Sequence, residues 1–502
     1  MLSPLFFDAY RSNSAILPIL PALGSLWFLV VGLGICVVAL LQPRSWWTVW
    51  AFARSQWRGI LVLGAGTGAV FIVGWLWNGA NSDNAAFGLA GLNRDRLDTD
   101  AEWTCFRGSL ERTGVIGEGE ILERPTVLWS ALSGCSVHSS PVFAKGRLYV
   151  VGFQGDRSRL ECLSIDGRPK WSVTPSGMRT SIASPILKDG LIYCGEGVHS
   201  TTRSRVFCLT NPKDDSTPQI VWSFETNGHV EGTPAISQNR LFAPSGDDGL
   251  YAFDLSSAPG AIANVLWHLT GDRYADIETS LAAVGNVVYV GLGEGGHALV
   301  MHDAATGREL RRAPMPYPVF SPPAVLNDRV YIGMGLGNLL TAADAAAGEV
   351  RCLDASTLEL IWTFKTPASV LGAVVVRDGE IVFASADGGL WVLDDAGQLV
   401  QHWQADAPIL STPAVSSGSV YCVAQSGTLT CLARKGLTPR WMLRLGRPGM
   451  YLSSPLVVNG RIYVGTPEDG LVCIGNPRND IEQPVVRSSQ IEPPGPEENR
   501  GR

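Results

Sequence analysis

Several polar residues combine a reactive side chain with a position just before a recurring sequence landmark. They are His138, Arg179, His229, Glu231, Glu278 and Tyr451. Glu231 and Glu278 lie in successive copies of the repeat described below, and two carboxylates are the beginning of a cation site. Calcium takes about six to eight oxygen ligands, so this pair alone predicts no metal site. We interpret these residues as candidates for lining a central funnel that faces a ligand.

The cysteines indicate a second chemistry, which is disulfide formation between neighbouring strands. A two-residue turn at residues 426–427 would place Cys422 directly opposite Cys431. The Cα atoms of such a non-hydrogen-bonded pair are about 4.5 Å apart, at the short end of disulfide geometry. Cys194 and Cys208 occupy the same two columns of another copy. Two cross-strand disulfides are therefore one hypothesis, with the register of the second pair left open by its longer loop, and the alternative is that these thiols are small buried apolar residues.

The elements that must position these residues form a repeat. A proline or apolar residue is followed eight residues later by an aromatic or apolar one at Pro141/Tyr149, Pro185/Tyr193, Pro234/Phe242, Leu281/Tyr289, Pro323/Tyr331, Val374/Val382, Pro413/Tyr421 and Pro455/Tyr463. Each copy, such as residues 411–441, reads as four short strands separated by polar turns. Repeats of this kind are typical of propeller blades. We predict an all-β fold, an eight-bladed β-propeller of four-stranded antiparallel blades.

Two further columns support this prediction. The third strand carries an apolar column at Cys162, Cys208, Ala252, Met301, Cys352, Val392, Cys431 and Cys473. The fourth strand carries Trp129, Trp171, Trp222, Trp267, Arg312, Trp362, Trp403 and Trp441. Large rings at one repeated place predict packing between neighbouring sheets. The last copy has no fourth strand of its own, so we predict that residues 127–129 complete it and close the ring.

The amino-acid sequences of the copies resemble those of a known family. The strings SSPV, GRLYVVG and CLSIDG with a closing Trp resemble quinoprotein-like (PQQ-like) β-propeller repeats. Residues 103–108, WTCFRG, are similar to the W-x-x-F-R-G segment that often precedes such repeats. The resemblance covers roughly residues 101–476. This family holds both PQQ-dependent dehydrogenases and non-catalytic propellers of the BamB type, so the resemblance implies the fold and does not decide the function.

The sequence departs from what the resemblance implies for a PQQ dehydrogenase. Such an enzyme would carry two adjacent cysteines in a disulfide ring, a tryptophan platform under the quinone, and a Glu, Asn and Asp set holding calcium beside a catalytic Asp. This chain has no adjacent cysteines. The family's docking motif, A-x-D-x-x-T-G-x-x-x-W, is matched best around Asp303, Thr306 and Gly307, but its final Trp is missing there. We predict no catalytic residue and no cofactor, PQQ or calcium, and keep a divergent PQQ-dependent dehydrogenase as the alternative.

Two apolar stretches precede the repeats. Residues 15–41 and 59–77 each have about the length that a membrane-spanning helix requires. The loop between them carries Arg44, Arg54 and Arg58 and no acidic residue, which favours the cytoplasmic side. Residues 1–78 are therefore predicted to be a membrane anchor with two transmembrane α-helices, with the propeller on the periplasmic or extracytoplasmic side of the inner membrane. That compartment permits disulfides.

The remaining composition bounds the function. The net charge of −7 over 502 residues, without a basic run, argues against a nucleic-acid partner. The ten cysteines form no CxxC pair, so zinc ribbons and thioredoxin-type motifs are unsupported. Residues 79–100 are typical of a linker, and residues 477–502, rich in Pro and charge, of a disordered tail. We predict a membrane-anchored scaffold that binds a protein partner or a ligand without catalysis.

Overall fold

The fold of the chain is described by a computed structural model. It describes residues 104–108, 122–256, 262–274, 276–337 and 346–477. These residues form eight antiparallel sheets of four strands each, which confirms the predicted eight-bladed propeller. The predicted transmembrane segments 15–41 and 59–77, the linker 79–100 and the tail from residue 478 lie outside the described residues. None of the helices found within the described ranges is long and apolar enough to cross a membrane.

The strands of the first four blades follow one another along the chain after an initial strand, β1 (Thr126–Ala131). Blade 1 contains β2 (Val142–Ala144), β3 (Arg147–Gln154), β4 (Arg157–Ser164) and β5 (Pro169–Val173). Blade 2 contains β6 (Ile186–Lys188), β7 (Leu191–Gly195), β8 (Ser204–Thr210) and β9 (Ile220–Thr226). Blade 3 contains β10 (Ala235–Ser237), β11 (Arg240–Pro244), β12 (Gly249–Asp254) and β13 (Val265–Thr270). Blade 4 contains β14 (Ala282–Val284), β15 (Val287–Leu292), β16 (Ala298–Asp303) and β17 (Glu309–Pro314).

The last four blades follow in the same way, except that the sheet of blade 8 is completed by the initial strand β1. Blade 5 contains β18 (Ala324–Leu326), β19 (Arg329–Gly335), β20 (Gly348–Asp354) and β21 (Leu360–Thr366). Blade 6 contains β22 (Val375–Arg377), β23 (Glu380–Ala384), β24 (Gly389–Leu393) and β25 (Leu399–Gln404). Blade 7 contains β26 (Ala414–Val415), β27 (Ser419–Val423), β28 (Thr428–Ala433) and β29 (Pro439–Arg444). Blade 8 contains β30 (Leu456–Val458), β31 (Arg461–Gly465) and β32 (Leu471–Gly475), with β1 as its fourth strand.

The landmark spacing reflects the strand register. In blade 1 the residue after the landmark proline, Val142, pairs with Tyr149, which in turn pairs with Cys162 on the third strand. Cys162 pairs with Trp171 on the fourth strand, and the rings of Tyr149 and Trp171 have their centroids 5.9 Å apart. A line of apolar side chains therefore crosses one face of the blade. This face packs against its neighbour and forms the core.

The predicted fourth-strand column is wrong in two blades. Arg311, and not Arg312, pairs with Met301 in blade 4. Gln401, and not Trp403, pairs with Val392 in blade 6, where Trp403 pairs with Leu390. The column had been aligned on residue type, whereas the register is set by the preceding turn and by an irregularity in the pairing at this place.

The ring is closed as predicted. Strand β1 pairs antiparallel with β32, with Trp129 opposite Cys473. The first strands of neighbouring blades lie side by side, and the residues just before them line one central channel. The first strand is therefore the innermost of each blade, and the fourth is the outermost.

A circle of hydroxyl groups joins the blades around the channel. The backbone N–H of Ser454 donates to Ser140 Oγ at 2.9 Å, and the N–H of Ser140 donates to Ser184 Oγ at 2.9 Å. The same type of hydrogen bond, from a backbone N–H to the side-chain hydroxyl of the next blade, links four further pairs. They are Ala373 to Thr412, Thr412 to Ser454, Ser184 to Thr233 and Thr233 to Ser280. Blade 5 is left out, because its residue at this position, Pro322, has neither an N–H nor a hydroxyl. The repeated Ser/Thr-Pro text therefore supplies inter-blade hydrogen bonds.

The predicted disulfides are wrong, because the hairpin register differs from the assumed one. Tyr421 pairs with Cys431, and Cys422 pairs with Thr430. Side chains alternate along a strand, so Cys422 and Cys431 point to opposite faces and lie in different hydrophobic clusters. Cys194 and Cys208 are separated in the same way.

Cys194, Cys208, Cys422 and Cys431 are all buried free thiols. Burial raises the pKa of the Cys422 thiol to about 12. A thiol of this kind is protonated at neutral pH and unreactive. These cysteines are therefore core residues, which is the alternative interpretation given above.

Candidate functional site

One mouth of the channel collects ionisable side chains from three separate connections. His229 and Glu231 lie between β9 and β10, where the chain leaves blade 2 for blade 3. Glu278 lies between β13 and β14, at the equivalent position one blade further on. His199 lies in the long loop between β7 and β8 of blade 2. These connections meet at one end of the ring, so the fold brings together side chains that are distant in sequence.

The carboxylate of Glu278 lies at the centre of this group. Its Oε1 atom is 3.1 Å from His229 Nε2, and it also contacts His199 Nδ1. One ligand atom from each of the three residues lies within 4.8 Å of the other two. His229 is buried, with 5% of its side chain exposed, and Glu278 has 11% exposed, whereas His199 has 58% exposed. The cluster is therefore fixed on its inner side and open towards solvent.

A glycine holds His229 in place. Gly246 has a left-handed backbone, with φ at +50°, and a Cβ added there would lie 2.3 Å from His229 Cε1. Two backbone hydrogen bonds of 3.2 Å between Gly246 and Ile277 fix this strand end beside the connection that carries Glu278. The imidazole therefore lies directly against the main chain, where only glycine leaves room.

Two more carboxyl groups, those of Glu231 and Asp276, lie near the cluster and add to its negative charge. The Oε2 atom of Glu231 is buried and has no hydrogen-bond partner among the described residues. Burial and the nearby charge of Glu278 raise the pKa of Glu231 to about 7. Burial and the same charge raise the pKa of Asp276 to about 6. The mouth thus concentrates negative charge at short range.

Hydrogen bonding balances part of this charge. Burial acts to raise the pKa of Glu278, but hydrogen bonds from His229 and His199 outweigh it and hold that pKa below its ordinary value. The same contact raises the pKa of His199. Glu278 is therefore a carboxylate, whereas Glu231 accepts a hydrogen bond from the backbone of His199 and its pKa stays raised.

The opposite end of the channel is covered by the segment before the propeller. Phe106 lines the channel together with residues from successive blades. Arg107 Nη2 donates to the carbonyl of Val374 in the connection that leads into blade 6, at 2.9 Å, and the N–H of Leu187 in blade 2 donates to the carbonyl of Thr104 at 2.8 Å. The part of the W-x-x-F-R-G segment that the structure describes thus crosses the channel as a plug.

The predicted funnel residues divide into two groups. His229, Glu231 and Glu278 come together at the mouth, and His138 lines the channel. Burial lowers the pKa of His138 to about 4, so it is neutral there.

Arg179 and Tyr451 are placed differently. Arg179 sits beside the buried Glu196, with its backbone N–H donating to Glu196 Oε2 at 2.9 Å. Tyr451 is buried in the core between blades 7 and 8, where its hydroxyl donates to the carbonyl of Arg447 at 2.9 Å. For Tyr451, the prediction of a place in the funnel is wrong.

His199 was missed by the sequence analysis, which considered only residues before the first strands. The one signal available was the unusual length of the loop between the second and third strands of blade 2. A loop longer than its repeats require is often functional.

Comparison with known proteins assigns the repeats. A family model described as outer membrane protein assembly factor BamB matches residues 195–295, 261–351 and 337–411. Over these ranges the repeats are similar to those of the PQQ-like β-propeller family. The chain is 26% identical over 324 residues to outer membrane protein assembly factor BamB of Moranella endobia (strain PCIT), across 59% of this chain and 79% of that protein.

Solved PQQ-like propellers share the fold at low identity. BamB from Moraxella catarrhalis matches with a TM-score of 0.54 at 12% identity, over 72% of this chain and all of that one. A europium-containing methanol dehydrogenase matches with a TM-score of 0.58 at 11% identity, over 77% of this chain and 100% of that one. Quinohemoprotein alcohol dehydrogenase from Comamonas testosteroni matches with a TM-score of 0.57 at 13% identity, over 78% of this chain and 85% of that one. These likenesses show the fold alone.

The channel of this PQQ-like propeller does not fit the quinone PQQ. PQQ is a flat tricarboxylate, so its site requires cations and aromatic faces. Among the described residues that line the channel, the charged ones are Glu231 and Glu278, and the hydroxyls of the inter-blade circle supply most of the remaining polarity. Two carboxylates at the mouth repel a tricarboxylate. No catalytic step is therefore derived through PQQ.

Proposed function

We propose that the protein is a non-catalytic protein-interaction scaffold, anchored in the cytoplasmic membrane with its propeller on the extracytoplasmic side. Similar proteins are named outer membrane protein assembly factors, and we carry over from that name only the role of working with other proteins. A rigid ring that holds its loops and strand edges still is suited to that role. The proposal rests mainly on an apolar surface at the rim of the propeller.

That surface lies on the outermost strands of consecutive blades. Leu360 and Ile361 begin β21, and Leu399 and Val400 begin β25, so the same two positions are apolar in blades 5 and 6. Leu360, Leu399 and Val400 are each at least half exposed, at 54%, 50% and 54%. Met442 on β29 of blade 7 is also exposed, at 53%, although it lies later in its strand than the other four residues do in theirs. We call Leu360, Ile361, Leu399, Val400 and Met442 the rim patch.

The rim patch fits a partner with an extended, apolar segment. The fourth strand is the last strand of each sheet, so one of its edges has no strand partner within the blade. Such an edge can accept a further strand, while the side chains at alternate positions supply specificity. An exposed apolar surface of this kind marks a site of protein interaction more often than an accident of packing.

The placement of the protein is supported by the sequence. Residues 15–41 and 59–77 have the length and apolarity of membrane spans, and the arginines between them favour a cytoplasmic loop. Both ends of the chain, and the propeller, would then lie outside the cytoplasm. The rim patch would meet partners in that compartment.

Crosslinking in intact cells tests both parts of the proposal. The full chain is treated with a crosslinker that does not pass the cytoplasmic membrane, and attached proteins are identified by mass spectrometry. We expect a specific partner for the native chain, and a loss of at least about tenfold in its yield for a variant with Leu360→Lys and Val400→Lys, because a charge on the rim patch would have to be desolvated on binding.

The matched control places the same charges on other outermost strands. Val127 on β1 and Leu266 on β13 are also exposed apolar residues, in blades 8 and 3. A chain with Val127→Lys and Leu266→Lys should keep the partner. Equal losses in the two variants would contradict the rim patch as the binding surface, and the absence of any specific crosslink would contradict the proposed function and its placement.

A further inference from the structure

The cluster at the channel mouth has the donor set of a metal site. His199, His229 and Glu278 offer two imidazole nitrogens and a carboxylate oxygen, and each comes from a different connection of the ring. Two histidines with one carboxylate are a set that divalent zinc and related first-row metals bind. Hard cations such as calcium prefer oxygen ligands alone, so they fit this set less well.

The distances agree with a shared ion. Zinc bonds to nitrogen and oxygen are about 2.0–2.1 Å long, which places two ligands of a tetrahedral site about 3.4 Å apart. The separation of His229 Nε2 and Glu278 Oε1, 3.1 Å, is close to this spacing. His199 Nδ1 reaches the same oxygen from the solvent side, and its exposed ring is free to turn into position. Only small movements are therefore needed to surround an ion.

A further carboxyl group, that of Glu231, lines the channel near these three residues but lies outside the group whose ligand atoms are within 4.8 Å of one another. Glu231 is two residues from His229 and lines the channel together with Glu278. Its buried Oε2 atom has no hydrogen-bond partner among the described residues. A buried carboxylate oxygen without a partner is costly in a folded protein unless it binds something.

An ion pair alone explains less of this arrangement. A protonated His199 would balance Glu278, but it leaves the Glu231 oxygen without a partner. A divalent cation would satisfy the nitrogens and the carboxylates together.

We propose that the channel mouth binds one divalent transition-metal ion of the zinc type through His199, His229 and Glu278, with the fourth position left to water or another ligand. The ion joins the long loop of blade 2 to the connections that lead into blades 3 and 4. It acts as a clamp on this part of the ring, and the exposed side of His199 leaves the ion accessible to solvent or to a ligand from a partner.

Metal titration of the full chain tests the proposal. The protein is purified, treated with a chelator, and titrated with zinc chloride in a calorimeter, while cobalt(II) absorption reports the coordination geometry. We expect one tight site with a tetrahedral cobalt spectrum. Glu278→Gln and His229→Ala should each weaken zinc binding by more than about 100-fold, because the loss of a direct ligand exceeds the effect of losing a group that only supports one.

Controls separate metal binding from folding. Glu278→Gln keeps the shape of the side chain, so its circular dichroism and melting in chelator should match the native chain. Zinc should raise the melting temperature of the native chain and not that of Glu278→Gln. His402→Ala removes a histidine on β25, far along the chain from the cluster, and should leave zinc binding unchanged.

The decisive comparison is with the double variant His229→Ala and Glu278→Gln. Equal zinc uptake by this variant and the native chain would overturn the proposal, since the remaining binding would belong to other groups. Partner capture through the rim patch is measured separately, so either proposal can fail without the other.

Discussion

At the scale of single residues, Glu196 shows how the fold tolerates a buried charge. The side chain of Glu196 is wholly buried, and Arg205 grips it through two hydrogen bonds of 2.7 and 2.9 Å. The backbone N–H of Arg179 adds a third at 2.9 Å. A buried carboxylate is acceptable only when its oxygens are paired in this way. The ion pair fixes one end of the blade 2 loop that carries His199.

Arg205→Ala is therefore expected to be strongly destabilising. It leaves the buried carboxylate of Glu196 with only the guanidinium of Arg179, whose Nε atom is 3.8 Å from Oε1, and we expect the free energy of unfolding to fall by about 3 kcal/mol. Arg203→Ala is the control, because Arg203 is 71% exposed and lies 3.7 Å from the exposed Glu225. Exposed pairs contribute about 0–1 kcal/mol. Urea unfolding of both variants provides the measurement, and equal losses would contradict this account of Glu196.

How well the contacts of a single residue could be predicted from the sequence depended on where its partner lies along the chain. His229, Glu231 and Glu278 were found because the repeat marks the residues before each first strand. His199 could not be placed beside them, since it comes from a loop that the repeat does not define. Pairing Cys422 with Cys431 failed on a shift of one residue, which moves a side chain to the other face of a sheet.

At the scale of elements, neighbouring blades are joined by a glycine packed under a tryptophan. Gly397, in the turn before β25, has φ at +76°, and a Cβ there would lie 2.5 Å from Trp362 Cδ2 of the preceding blade. The indole N–H of Trp362 donates to the carbonyl of Asp395 in the same turn, at 3.1 Å. Gly307 under Trp267 repeats this arrangement. The outer strand of one blade is thus fastened to a turn of the next.

Gly397→Ala is expected to loosen this contact. The added methyl group would collide with Trp362, and its strained backbone would add about 1 kcal/mol. Gly436→Ala in blade 7 is a matched control, because Gly436 also has a positive φ, +83°, but a Cβ there meets nothing within 4 Å. We expect Gly397→Ala to lower the free energy of unfolding by about 1–3 kcal/mol more than Gly436→Ala. Chemical unfolding compares them, and similar losses would mean that the tryptophan moves aside freely.

The elements themselves were predictable to different degrees. The first hairpin of every blade was read correctly because its spacing is constant and its landmarks are buried. The fourth strands of blades 4 and 6 are misaligned by the sequence pattern, because the residue that pairs with the third-strand column there is Arg311 or Gln401 and no tryptophan marks it. The strand pattern also gave no indication of the rim patch, which depends on which strand is outermost.

At the scale of the whole molecule, stability depends on closing the ring. Blade 8 is complete only when β1 adds to β32, and the Ser454 to Ser140 hydrogen bond joins the last blade to the first. Closure removes the open edge that an incomplete ring would present. The strand that closes the ring should therefore be as important for stability as any strand inside it.

Trp129→Ala tests that expectation. Trp129 in β1 and Trp171 in blade 1 are both buried at the same position of their blades. Each replacement by alanine should lower the free energy of unfolding by about 3–5 kcal/mol. Thermal and chemical unfolding of the two variants should give similar losses. A stable Trp129→Ala protein beside an unstable Trp171→Ala protein would contradict closure by β1.

Whole-molecule architecture was the most predictable feature, because it depends on counting copies rather than on locating atoms. The number of blades and the origin of the last strand both followed from the missing fourth strand near residue 475. The plug formed by Phe106 and Arg107 was not predicted, because the amino-acid sequence of a segment outside the repeat does not indicate where that segment will lie.

Closure by β1 also has a consequence for biosynthesis. A ribosome makes Thr126–Ala131 before any blade and Leu471–Gly475 after all the other strands, so two strands that end side by side are separated by the synthesis of every strand between them. Blades 1 to 7 can form as they emerge, because their strands are neighbours in the chain. The eighth is complete only after β32 has been made, and until then β1 is an unpaired strand that chaperones would need to shield.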